Sequence, residues 1–194
     1  MQYNFSNSFS EPLTTEELTN YALARGEEAL VDEYHKHSLA YTPNGGSLDL
    51  CEEVARLYGP QITADNILIF AGGQVALQTA AYAILDKGSH SIVFTPGYQS
   101  VLQAPEHALS DVTRIKLYPE NQWQIDPAEV ENSIKENTRY LVINEPFNPA
   151  GTLMKRDAQQ ALIDIARKHK LFLMSDEAYR LLEHREQDRL PANG

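Results

Sequence analysis

Residues 139–179 read RYLVINEPFNPAGTLMKRDAQQALIDIARKHKLFLMSDEAY, and the order of events in that stretch decides the fold. Residues 139–144 are a short apolar run rich in β-formers. A loop with two prolines and a glycine follows, then a helical pattern over 155–169, then a second apolar run over 171–176. Strands that alternate with helices of this length form βαβ units, and βαβ units build a mainly parallel sheet.

The same alternation extends upstream. β-rich runs occur at 67–71 (ILIFA), 91–95 (SIVFT) and 112–118 (VTRIKLY), with helical patterns over 74–86, 98–108 and 127–136. The expectation is an α/β fold: a mainly parallel sheet with helices on both faces. Before it, residues 14–34 are predicted as one helix, with Thr14 as N-cap and Glu17 closing a capping box. A turn-rich loop over 41–46 (YTPNGG) leads into a predicted helix over 48–58 that stops at Gly59-Pro60.

Composition narrows the function classes. Apolar residues make up 42% and charged residues 22%, the balance of a folded globular protein. A net charge of −11 and the lack of any basic run argue against nucleic acid and against an anionic membrane surface. A single cysteine, Cys51, permits no intrachain disulfide. The N-terminal residues lack a basic and then apolar segment, so no signal peptide is expected and a cytoplasmic protein is the default.

In parallel sheets ligands collect beyond the carboxyl ends of the strands. Four loops lie there. Gly72-Gly73-Gln74 follows ILIFA and opens a helix; it reads either as a phosphate cradle of free N–H groups or as a plain strand-to-helix turn. Tyr98 follows SIVFT, placed to cover a flat ligand or simply to pack. The Glu145–Thr152 loop is stiffened by Pro146 and Pro149 and presents Asn148, either to a ligand or to its own backbone. Asp176 ends an apolar strand, where a carboxylate needs a charge or donors, or else caps the next helix. Tyr179 would lie one helical turn farther on.

In this order and spacing the four loops resemble the class I/II aminotransferases, fold-type I enzymes that use pyridoxal 5'-phosphate, over about residues 10–184. The resemblance implies residues 1–40 as an N-terminal arm and small-domain segment, and 41–194 as part of the cofactor-binding large domain. It implies that Gly73 and Gln74 hold the cofactor phosphate, Tyr98 stacks on the ring, and Asn148 and Tyr179 donate to its phenolic oxygen. Asp176 would pair with the ring nitrogen; Asp176 and Tyr179 are the catalytic candidates. Tyr41 would reach the phosphate of a neighbouring subunit in a homodimer. The implied substrates are an amino acid and a 2-oxo acid.

Two departures stand out: Leu50-Cys51 replaces the usual Leu-Arg, and Gly73 occupies a position where Ser, Thr or Ala is commoner. None of the seven lysines sits where the family carries its cofactor-binding lysine. The expectation is a fragment or split subunit, completed by a C-terminal polypeptide, with a sheet unfinished on its C-terminal side. Alternatives on the same scaffold are a lyase, cyclase or decarboxylase, or a non-catalytic binding module. His35 and His37, two apart without a nearby cysteine, read as surface residues rather than metal ligands.

Overall fold

The computed structural model describes residues 8–9 and 11–189, so part of the segment behind the signal-peptide reading lies outside the described residues. The chain divides into two compact units, Met1–Thr42 and Pro43–Gly194. The first holds α1 (Thr15–Ala24) and α2 (Glu28–Lys36). The capping box forms as expected: Glu17 N–H donates to Thr14 Oγ1 at 3.1 Å, and Thr14 N–H donates to Glu17 Oε2 at 2.8 Å. The single helix expected over 14–34 is instead two. Gly26 takes φ +78°, a left-handed conformation that ends α1.

The second unit contains α3 (Leu48–Arg56), α4 (Gly73–Ile84), α5 (Gln99–His107), α6 (Pro127–Asn132) and α7 (Arg156–His169). Its strands are β1 (His90–Thr95), β2 (Asp111–Lys116), β3 (Thr138–Asn144) and β4 (Phe172–Asp176). They form a parallel sheet in the order β2-β1-β3-β4. The alternation of each strand sends its side chains into two cores. Ile92, Phe94, Leu141 and Ile143 pack with Val130 of α6 and Leu162 and Ile165 of α7. Val93, Tyr140 and Val142 pack on the other face with Leu77 and Ala81 of α4 and Val101 and Ala104 of α5. Each buried aliphatic or aromatic side chain contributes roughly 1.5–3 kcal/mol. The expected helices on both faces are therefore present.

One expected strand is absent. Residues 67–70 are extended but pair with no strand among the described residues. Ile69 N–H donates to Gly45 O at 2.8 Å, while Leu68 stays 69% exposed. A strand is defined by a hydrogen-bonded neighbour, and an apolar run does not supply one. No helix among the described residues is long and apolar enough to cross a membrane.

Candidate functional site

β1 and β3 are neighbours in the sheet, but β1 continues through α5 to β2 on one side, and β3 through α7 to β4 on the other. The loops leaving them diverge, and this topological switch point opens a crevice at the strand ends. Tyr98 stands at one lip as the N-cap of α5, 37% exposed. Gln74 Nε2 donates to its hydroxyl at 2.6 Å, tying the start of α4 to the start of α5.

The turn into α4 depends on Gly72, whose φ +104° and ψ 153° suit glycine alone. Gly73 then opens the helix, and a Cβ built on it would meet nothing within 4 Å. The position has room for a side chain without needing one, which accounts for the departure noted there. In the first turn of this twelve-residue helix the N–H groups of Gly73 and Gln74 have no intrahelical acceptor, and the dipole favours an anion.

The other lip is the 145–154 loop. Its organiser is Asn144, the last residue of β3 and a residue that sequence reasoning passed over. Asn144 Oδ1 accepts the Asn148 N–H at 2.8 Å, and its Nδ2 donates to Asp176 O at 2.8 Å. Glu145 N–H donates to the same carbonyl at 2.9 Å. Within the loop, Phe147 N–H donates to Thr152 O at 3.0 Å and Gly151 N–H to Phe147 O at 2.7 Å. The Asn148–Pro149 bond is cis. One side chain thus fixes both the Asn148 loop and the strand end that carries Asp176. Tyr98, Asn144 and Phe147 also line one cavity of about 20 Å³. That is room for a single water.

Asp176 is half-buried and accepts the Ala178 N–H at 3.2 Å. Burial raises its pKa, and the Ala178 hydrogen bond works against that rise. Among the described residues no ion pair compensates it. A carboxylate in this setting gains most from a cation placed at the crevice. Tyr179 follows in a turn rather than the expected helix, and is half-buried. Tyr41 belongs to the other unit, where its ring is fully exposed.

All seven lysines are exposed. Lys36, Lys135 and Lys168 pair with Asp32, Asp111 and Glu131, and Lys116 lies over the Tyr118 ring. Cys51 is buried, its thiol 3.7 Å from Gly45 O. Neither residue type brings a nucleophile to the crevice.

Comparison with known proteins agrees with this geometry. Residues 14–192 match the description of the family "aminotransferase class I and II". The aspartate aminotransferase of Pyrococcus horikoshii is 34% identical over 143 residues, 72% of this chain and 37% of that protein. The aspartate/prephenate aminotransferase of Thermus thermophilus is 30% identical over 175 residues, 88% of this chain and 43% of that protein. A solved structure of Thermus thermophilus aspartate aminotransferase superposes with a TM-score of 0.74 at 30% identity, covering 91% of this chain and 44% of that one. A PLP-dependent aminotransferase from Streptococcus suis superposes at 0.78 with 27% identity, covering 87% and 44%. The chain spans less than half the length of these relatives. It belongs to the class I and II aminotransferases, a family of pyridoxal-phosphate-dependent enzymes.

Proposed function

We propose that this chain forms part of an aminotransferase that moves an amino group between an amino acid and a 2-oxo acid with pyridoxal phosphate. The observation that carries the reading is Asp176, a half-buried carboxylate at a strand end with its pKa raised by burial. The donor set fits the cofactor. The N–H groups of Gly73 and Gln74 would hold the phosphate, and Tyr98 would cover the ring. Asn148 and Tyr179 would donate to the phenolic oxygen, and Asp176 would keep the ring nitrogen protonated. When bound, the cofactor supplies an electron sink for the carbon that loses a proton.

What the chain's own residues do is bind, orient and hold charge. Asp176 would hold a proton on the ring nitrogen, and the Asn144 network keeps Asn148 and the Asp176 backbone in register. No lysine lies among these side chains, so the reading assigns the covalent anchor and the moving proton to a lysine outside them, on further sequence or a second polypeptide. It also assigns Tyr41, with its exposed ring, to the phosphate of a neighbouring copy in a cytoplasmic homodimer; residues 1–40 would be the arm, and 41–194 part of the large domain. The names of the relatives support amino acids as the substrate class.

Pyridoxamine 5'-phosphate tests this without a lysine, because it binds non-covalently. Titration followed by its absorbance should show saturable binding, weakened by Asp176→Asn about tenfold or more, in line with the loss of a charge-assisted contact. Equal affinity in the variant, or no binding by the parent chain, would refute the reading.

A further inference from the structure

The Glu145 side chain has no part in the site described so far, yet it occupies the neck of the loop that carries Asn148. Its side chain turns inward and Oε1 accepts the Met154 N–H at 2.7 Å, across the base of the loop. The rung above is made of backbone alone, Phe147 N–H to Thr152 O. At the neck a side-chain carboxylate takes the place of a carbonyl. We propose that Glu145 is a positioning residue for Asn148, its side-chain carboxyl group latching the 145–154 loop closed through Met154 and making that closure sensitive to protonation.

The surroundings explain the sensitivity. Burial pushes the Glu145 carboxyl up to about 7, the Met154 hydrogen bond opposes this, and the carboxylates of Glu177 and Glu183 add to it. Those two come from the segment after β4. Glu177 is paired with Arg180 at 3.2 Å, and Glu183, whose side chain is 4% exposed, lies 3.7 Å from Arg189. Asp176 accepts the Glu145 N–H through its backbone carbonyl. The protonated acid therefore suits the closed loop, and an opening that returns Glu145 to water releases a proton.

Linkage gives the sign and the window. Between an opened-state value of 4.5 and a closed-state value of about 7, each pH unit makes opening easier by up to about tenfold. Below 4.5 and above about 7 the dependence is flat. A loop carboxylate that served packing alone, with an ordinary pKa in place, would show none of it.

The role of Asn148 toward a cofactor rests on the proposed function, but the latch does not need a ligand to be seen. Amide exchange of Asn148 and Met154, corrected for intrinsic rates, should lose about tenfold or more of its protection from pH 5 to 7 and change little from 7 to 8. In Glu145→Gln, which keeps an acceptor but cannot ionise, protection should be flat with pH and match the protonated parent. Glu145→Ala should expose both amides at all pH values and weaken pyridoxamine phosphate; if that variant does not fold, the pH profiles of the parent and of Glu145→Gln decide alone. A flat parent profile, or the same slope in Glu145→Gln, overturns the latch. Absence of pyridoxamine phosphate binding with the slope intact would overturn the proposed function and leave the latch standing.

Discussion

Two adjacent-looking glycines should respond to alanine with opposite signs. Gly97 lies between β1 and Tyr98 with no positive φ, so its backbone alone would accept a side chain. The space would not. A Cβ there would stand 2.7 Å from Phe94 O and 3.3 Å from Leu102 Cδ2. The first of these contacts is to backbone inside a buried strand, so the turn itself must give by about half an ångström or more, at the roughly 1–3 kcal/mol typical of overpacking. Reduced freedom of the unfolded chain returns about 0.4–1 kcal/mol. The net expectation for Gly97→Ala is a loss of about 1–2 kcal/mol, with Tyr98 shifted relative to Gln74. Gly73→Ala keeps the entropic gain and meets nothing, so it should stabilise by about 0.4–1 kcal/mol. Urea unfolding of both variants at constant m-value reads the two signs directly. A neutral Gly97→Ala, or a destabilising Gly73→Ala, would refute the steric reading of the crevice.

Two further outcomes follow from charge and from the sheet edge. His90 is fully buried, its ring nitrogens 2.7 Å from Thr138 Oγ1 and 2.8 Å from Thr113 Oγ1. Burial and Lys135 lower its pKa, with Asp111 opposing, so its stabilising contribution is complete above 6.5 and is lost as pH falls below that value. His90→Gln should remove part of the acid slope of unfolding free energy between pH 7 and 5; an unchanged slope would count against the assignment. Among the described residues β4 is an edge strand, carrying Phe172 at 57% exposure. Sedimentation should show concentration-dependent association, reduced by Phe172→Lys, since charge on an edge blocks strand pairing; a clean monomer at all concentrations would contradict it.

The parallel sheet and its two helix layers were legible because periodicity is local: Ile92, Val93 and Phe94 announce two buried faces in three residues. The same reasoning overreached at 67–71, where the apolar pattern is present and the ladder partner is not. It also ran α1 and α2 together, because Gly26 is a helix breaker only once its φ is known to be positive. For the candidate site, the gathering of the loops was readable from chain order, since loops after consecutive parallel strands lie at one end of the sheet. Their connections were not. Asn144 and Glu145 look like the end of a strand and the start of a turn, yet one joins Asn148 to Asp176 and the other closes the loop neck.

That difference has a physical origin. A ligand-facing residue is recognisable by being out of place, as an acid at the end of an apolar strand is. A residue that holds it there is satisfied by its neighbours, so nothing in its own identity marks it. Asn144 spends its side chain on two backbone groups from segments 32 and 4 residues away, a pairing that exists only after β3 and β4 have aligned. The aim of Asn148 is therefore a consequence of sheet register: a slip of β4 against β3 would detach Asn144 from Asp176 O and loosen the Asn148 loop and the Asp176 strand end together.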